Sequence, residues 1–599
     1  MGILGNIRKD FLFLMRIGRA LARVTPMARR RTRTFPDVMD DLAEKFSDRL
    51  ALISDRESFT YAELNRRGNR YARWAKAEGL AKDETVCLLM PNRPEFVAIW
   101  LGVIRMGGTA ALLNINLTGA ALAHCINVVS AKHIIVAAEL AQSFASAAPL
   151  LAGEPKVWTH GECDLAALRI DEAIAAFSET PVGKDERPAL TLEDRALLIY
   201  TSGTTGLPKA AKINHYRILA AMDAFSAIMH IKPDDRLYDC LPLYHTSGGV
   251  IAICAPLREG ASVFIREKFS ARQFWDDVTD RECTLFQYIG ELCRYLVNAP
   301  PHPKEKGHKL RLCCGNGLRP DIWTTFATRF GIGEIREFYA ATEGNAIIFN
   351  LDNTPGSVGR VPKWAGFIFP LKVIGFDIDK EEPIRDTAGL CRECKPDEVG
   401  ELVSKILVSA VKPGQRFDGY SDKTATEKKI LRNAFEADDM WFRSGDLVRR
   451  DARGYFFFVD RIGDTFRWKG ENVATSEVAE LINSLDAVKE ANVYGVPVDG
   501  REGKAGMVAI VADRSLALPA LRQHIHSHLS AYSRPLFIRL QQEIDSTSTF
   551  KQRKADLVRD GFDPEKVRDP LFFDDVAAGS YVPVDAALYR RLQAGEIRL

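Results

Sequence analysis

The 599-residue chain has almost no net charge: 81 Lys and Arg stand against 79 Asp and Glu, a balance of +2. A protein that grips nucleic acid carries a basic surplus, so nucleic acid is excluded as the main partner. A disulfide framework is lacking as well. Eleven cysteines are scattered along the chain. Cys391-x-x-Cys394 has no second pair at zinc spacing, so both read as loop thiols in a reducing setting. We find no cleavable signal peptide, no internal repeat and no low-complexity segment. What remains is a cytoplasmic globular chain too long for one domain, with 46% hydrophobic residues available for its cores.

The neutral total conceals one basic end. Residues 1–34 hold nine basic side chains and one acid, +8, which leaves the rest of the chain at −6. On a helical wheel of residues 3–24, Leu4, Ile7, Phe11, Leu14, Met15, Ile17 and Leu21 share one face. Arg8, Lys9, Arg16, Arg19 and Arg23 gather on the other. Arg16 and Arg19 interrupt the segment well before the ~20 apolar residues of a membrane span. A basic amphipathic helix followed by Arg29-Arg30-Arg31 suits the surface of an anionic membrane. The competing expectation is a helix packed on its own domain. Met1-Gly2 makes no myristoylation site, because Asn6 stands where Ser or Thr is required. The expected location is therefore cytoplasmic, with peripheral attachment to the inner face of the cell membrane.

What is present centres on Tyr200-Thr201-Ser202-Gly203-Thr204-Thr205-Gly206-Leu207-Pro208-Lys209. Small and hydroxyl residues with two glycines permit tight turns whose successive amides cup an anion, and Lys209 closes the loop. The spacing differs from a Walker A loop, Gly-x4-Gly-Lys-Ser/Thr running directly into a helix. Leu197–Tyr200 and Ala210–Ile213 read as strands, and a helix follows only at Ile218, Leu219, Met222, Phe225 and Met229. The stretch is a strand–loop–strand phosphate grip.

From Phe35 to Leu190, helices (Tyr61–Glu78, Pro94–Met106, Ala120–Val129) alternate with short apolar strands (Val86–Leu89, Thr109–Leu113, Ile134–Val136), the pattern of α/β layering. Past the loop, Leu237–Pro242 runs into Leu243-Tyr-His245-Thr-Ser-Gly-Gly249, and Arg311–Cys314 into Gly315-Asn316-Gly317. Then comes Phe338-Tyr339-Ala-Ala-Thr342-Glu343-Gly-Asn345. Between Gly356 and about Val459, frequent Gly and Pro with short strands suggest a small β-rich subdomain, and the end of that stretch holds Arg443-Ser-Gly-Asp446. Asp460-Arg461-Ile-Gly463-Asp464 reads as a linker opening a compact C-terminal α+β domain.

In this order and spacing, the phosphate loop, Tyr339–Glu343, Ser444–Asp446 and Arg461–Gly470 resemble the adenylate-forming superfamily. Cys314–Trp323, Phe338–Asn345, Phe417-Asp-Gly-Tyr420 and Asp464–Val473 are similar to its fatty acid transport protein / very-long-chain acyl-CoA synthetase branch. The resemblance runs from Phe35 to the C-terminus. It implies an α/β fold: a large N-terminal ATP- and acyl-binding domain of mixed sheets layered with helices (35–460), and a small mobile α+β domain (461–599). The implied reaction is fatty acid + ATP + CoA → acyl-CoA + AMP + pyrophosphate, with Mg²⁺ as cofactor and homodimer formation and fatty-acid uptake as further expectations.

Such a reaction brings a carboxylate onto the α-phosphate, anion on anion. Each like-charge pair at about 4 Å costs about 4 kcal/mol at an effective dielectric near 20, so fixed donors are required. By resemblance, Thr201, Ser202, Gly203, Thr204, Thr205, Gly206 and Lys209 cradle the β,γ-phosphates, and Thr342 with Glu343 serves the α-phosphate and Mg²⁺. Gly315, Asn316 and Tyr339 frame the adenine; Asp446 clamps the ribose with Arg461 beside it. Lys551 is the catalytic lysine, with Lys554 as its competitor; His245 stands at the acyl entrance, and Gly463 and Gly470 mark the hinge and CoA path. Phe264, Phe286, Tyr288 and Leu292 are expected as acyl-pocket walls.

Three residues depart from the pattern. Ala340 replaces a glycine, Ser548 stands where this branch has glycine, and Gly463 occupies a hinge position where many members carry Asp or Lys. Leu241–Gly249 offers no acidic partner for an amino-acid ammonium, which argues against a peptide-synthetase adenylation domain. A fatty-acyl-AMP ligase loading a carrier protein and a non-enzymatic fatty-acid uptake protein are the other readings.

Overall fold

The structure is a computed structural model that describes residues 3–599 apart from 202–207, 379, 408–415, 470, 500, 502, 544–553 and 598. It divides into two compact units that interleave in sequence. The first comprises Met1–Phe369, Ser404–Arg432 and Asp439–Phe442; the second Pro370–Val403, Asn433–Asp438 and Arg443–Leu599.

Two sheets build the first unit. In the eight-stranded one, β3 (Arg236–Asp239), β4 (Leu285–Ile289), β5 (Leu312–Asn316) and β6 (Glu334–Ala340) run parallel in the spatial order β6-β5-β4-β3. Ser262–Ile265 and Leu50–Ile53 continue the parallel set, and antiparallel strands Ile347–Phe349 and Ser58–Thr60 close its edges. The second sheet has seven strands. It is parallel through Thr109–Leu112 to β1 (Arg195–Thr201), and β2 (Lys209–Asn214) pairs antiparallel on its edge. Strands buried on both faces read as continuous apolar runs, as in Thr85–Leu89 and Thr109–Leu112, where every residue is buried. The helices expected between them form at Tyr61–Ala77, Pro94–Arg105 and Gly119–Asn127.

The N-terminal helix α1 (Ile3–Val24) packs on α2 (His215–Met229). Its faces divide differently from the wheel. Phe13, Ile17 and Ala20 are buried. Lys9 pairs with Asp352 at 3.5 Å, Arg16 with Glu334 at 3.6 Å, and Arg23 with Glu259. So only part of the apolar face, Ile17 with Phe13 and Ala20 beside it, is core, and Lys9, Arg16 and Arg23 of the basic face meet carboxylates of the same unit. The wheel averages over a whole face; packing selects the narrower row that meets α2.

The second unit ends in a five-stranded sheet ordered Val488–Val496, Ala505–Ala512, Phe537–Gln541, Leu571–Asp575 and Ser580–Pro583. Its core includes Val493, Met507, Ile510, Phe537 and Phe573. With helices Thr475–Asn483 and Leu518–His528 it is α+β, as its sequence pattern indicates. The β-rich stretch before it is shared between the units.

Candidate active site

Parallel strands bring their carboxyl ends to one edge of a sheet, the customary place for ligands in α/β folds. Here β3 ends before His245, β4 just before Gly290, β5 at Asn316 and β6 at Ala340, after Tyr339. Ile289 is in register with Asn316, and Gly315 with Glu337. The turns are so close that glycine is obligatory. A Cβ on Gly290 would lie 1.7 Å from the Gly317 carbonyl oxygen, and one on Gly315 2.2 Å from that of Tyr288.

Glu337 fastens this edge. Its buried carboxylate accepts from the Tyr288 hydroxyl (2.9 Å), Leu318 N–H (2.8 Å) and Gly317 N–H (3.1 Å). Burial pushes its pKa up to about 8, against the pull of those hydrogen bonds. The turn after Asn316 is thereby tied to the strand bearing Tyr339. Tyr288, expected as an acyl wall, is spent on this contact. Phe264, Phe286 and Leu292 are fully buried, and the Phe286 ring packs edge-on against Phe274 at 4.8 Å.

The turn that follows β6 is held by a cation. Arg217, on α2 and largely buried, donates to the carbonyls of Thr342 (2.5 Å), Glu343 (3.1 Å) and Gly344 (2.7 Å). Thr246 Oγ1 donates to Thr342 Oγ1 at 3.1 Å. It opens a π-helical turn, Thr246–Ala252, that starts after His245, whose ring lies 4.6 Å from that of Tyr244. Glu343 Oε1 accepts from the Tyr420 hydroxyl at 2.7 Å. Burial and the adjacent carboxylate push the Tyr420 pKa up, so this hydroxyl stays a donor.

Tyr420 also reaches the phosphate-loop hairpin. It bridges Ala211 on β2, and Lys212 N–H donates to Gly419 O at 3.1 Å. The Thr201 hydroxyl pulls the Tyr420 pKa back down, and Lys209 Nζ lies 5.9 Å from the Tyr420 ring centroid. Thr201 ends β1 and pairs with Lys209, the first residue of β2, so the loop is framed by the two strands expected. Ser202, Gly203, Thr204, Thr205 and Gly206 lie outside the described residues. One tyrosine thus joins Glu343 to the hairpin that frames that loop.

In the second unit, Asp446 and Arg461 face each other across an antiparallel pair at 3.8 Å. Glu401, whose side chain is fully buried, pairs with Arg443 at 2.9 Å and accepts from Gly445 N–H at 3.3 Å, which holds the turn bearing Asp446. Gly463 has φ +96°, a conformation that disfavours any side chain. Lys554 is engaged: it donates to Thr475 Oγ1 at 2.6 Å and pairs with Asp464 at 3.4 Å. Lys551 and Gly470 lie outside the described residues.

The sequence profile described as AMP-binding enzyme matches residues 39–405, and that of the AMP-binding enzyme C-terminal domain matches 477–551. The chain belongs to the AMP-binding enzymes. It is 41% identical over 592 residues to long-chain fatty acid transport protein 1 of Mus musculus, covering 97% of this chain and 91% of the relative. Long-chain fatty acid transport protein 2 of Rattus norvegicus is 39% identical, covering 98% and 94%. Among solved structures, the anthranilate CoA ligase AuaEII in complex with anthranoyl-AMP superposes with a TM-score of 0.74 at 21% identity, covering 88% of this chain and 96% of that one. The fold of this AMP-binding enzyme is thus the adenylate-forming one, with a large N-terminal and a smaller C-terminal domain.

Sequence reading found the motif carrying Tyr420 but gave that residue no site role, and it passed over Arg217, Thr246 and Glu337. The missed side chains act through backbone carbonyls, another hydroxyl or buried amides, contacts that leave no spacing signal. Arg217 sits in a helix whose other residues read as core.

Proposed function

We propose that this AMP-binding enzyme is an ATP-dependent fatty acid:CoA ligase that forms an acyl-AMP and passes the acyl group to CoA. The observation that carries the reading is the Tyr420 junction, in which the tyrosine donates to Glu343 and bridges Ala211 of the hairpin that frames the anion-cupping loop. The relatives named for long-chain fatty acids supply the substrate class, and the CoA ligase of like fold supplies the thiol.

In this mechanism the loop Thr201–Gly206 and Lys209 hold the β,γ-phosphates. Asn316 and Tyr339 frame the adenine, and Asp446 with Arg461 binds the ribose. Thr342 and Glu343 offer hard oxygens that fit Mg²⁺, which takes one or two carboxylates plus phosphate oxygens and water. An ion held there would supply positive charge against the approach of carboxylate and α-phosphate. Glu343 is kept in place because Tyr420 donates to it and Arg217 fixes its backbone. With Lys554 already engaged by Thr475 and Asp464, Lys551 is the side chain that reaches the carboxylate and α-phosphate. His245 flanks the acyl entrance. Residues 461–599 act as the mobile domain, with Gly463 and Gly470 on the hinge and CoA path. The enzyme works in the cytoplasm, held peripherally on the anionic inner face of the cell membrane by residues 1–34, where thioester formation traps incoming acid.

The test is AMP release over fatty acids of increasing length, with and without CoA. CoA-dependent release that rises with chain length is expected, each buried CH₂ contributing about 0.8 kcal/mol. Pyrophosphate exchange without any response to CoA would instead identify an acyl-AMP ligase.

A further inference from the structure

The basic side chains of the N-terminal region fall into two sets. Those turned inward are paired: Lys9, Arg16 and Arg23 with Asp352, Glu334 and Glu259. Arg8, Arg19, Arg29 and Arg30 make no ion pair among the described residues. Phe11, Leu14 and Met15 are 60%, 54% and 44% exposed, and with Arg8, Arg19 and Ala22 they form one continuous outer row of α1. Trp364, edge-on to Phe13 at 5.8 Å, is itself 43% exposed. An apolar ridge bracketed by unpaired cations is complementary to an anionic bilayer surface, with the ridge in the acyl boundary and the arginines among the phosphates.

Where α1 gives way to the 3₁₀ turn Thr25–Arg29, this row meets a cavity of about 100 Å³. Arg23, Arg30, Arg33 and Arg258 line it, with Asp223 and, on the outer row, Pro26. Arg258 donates to Asp223, Arg23 to Glu259 and Arg33 to Asp41, so four guanidiniums face three carboxylates. Each guanidinium has donors to spare beyond its partner. These spare donors suit a doubly charged phosphomonoester better than a singly charged phosphodiester. We infer that this cavity binds the phosphomonoester headgroup of an anionic lipid while the Phe11–Leu14–Met15 ridge rests in the bilayer. A phosphomonoester carries about −1.5 to −2 near neutral pH and accepts from several guanidiniums at once. The inference rests on the membrane contact proposed above and adds to it a headgroup preference and a cavity.

Co-sedimentation of the full chain with vesicles tests it, using phosphatidylcholine alone, or mixed with phosphatidylglycerol or phosphatidic acid at matched surface charge. The wild type should bind both anionic vesicles and favour phosphatidic acid by about tenfold. Phe11→Glu/Leu14→Glu should lose binding to both. Arg30→Ala/Arg33→Ala should keep phosphatidylglycerol binding and lose the preference. Glycerol 3-phosphate at millimolar concentration should erase the preference without releasing the protein. Unchanged thermal melting and unchanged AMP release on a short soluble acid confirm that each variant is folded. Anionic binding that ignores both the headgroup and the cavity variant overturns the cavity alone. No anionic binding by the wild type overturns the membrane reading itself. Saturation by glycerol 3-phosphate with no headgroup preference on vesicles would make the cavity a site for a soluble phosphate, which also overturns the inference.

Discussion

In the first unit the turn Thr342–Gly344 hands its carbonyls to a partly buried cation, Arg217, whereas in the second the turn Ser444–Asp446 is held by a buried carboxylate, Glu401. The first grip joins a charge to neutral dipoles. It therefore does not consume the carboxylate of Glu343, which among the described residues accepts one hydrogen bond, from Tyr420. The second grip is an ion pair, Glu401 with Arg443, and stands only while both members keep their charge. On the proposed reading, the turn whose Glu343 would meet Mg²⁺ is thus held without a competing carboxylate. The turn bearing Asp446, which is proposed to accept hydrogen bonds from the ribose, has Glu401 beside it.

The largest effect that would sharpen this contrast is Glu401→Gln. Removing one member of a buried pair costs about 3–5 kcal/mol, so urea unfolding should show a marked loss, partly recovered in Glu401→Leu/Arg443→Met. A single variant that unfolds like the wild type would break the comparison.

Next is Glu343→Gln. Loss of a preorganised group at a developing charge costs about 10²–10³ in rate, roughly 2.7–4 kcal/mol. Pyrophosphate exchange should fall by that factor and cease to rise with added Mg²⁺, while unfolding stays near wild type because Arg217 grips carbonyls. A matching loss of stability would mean that the carboxylate itself holds the turn.

Glu337→Gln probes the edge beneath both. Its folded pKa, raised to about 8 from the ordinary 4.5, means that the folded chain binds the extra proton between those values. The stability it contributes is complete below about pH 4.5 and is lost as pH rises through about 8. Melting temperature against pH should therefore decline over that interval in the wild type and be flatter in Glu337→Gln. Parallel curves would show that this carboxyl does not titrate there.

The smallest expected effect is that of Tyr420→Phe. It deletes one hydrogen bond to a charged acceptor, worth about 1.5–3 kcal/mol, and should appear mainly as a weaker Mg²⁺ dependence of acyl-AMP formation. An unaltered dependence would show that Tyr420 supports the hairpin rather than Glu343.

Much of this protein was legible in its residues. The alternation of helices and apolar strands, the two strands around the phosphate loop and the α+β end all follow from periodicity and turn chemistry, which are local properties of the chain. The loops after β5 and β6 were recognisable because glycine, hydroxyl and carboxylate side chains stand together there. Tertiary structure alone decided what holds those loops. Arg217 lies 125 residues before Thr342, and Tyr420 lies 77 after Glu343. Nothing local marks either as a partner, since a hydrogen bond to a backbone carbonyl asks only for a donor in the right place. The same holds for α1. Its amphipathic character is written in the sequence, but which row is core and which arginines are left unpaired depends on the carboxylates and aromatic rings that packing brings against it.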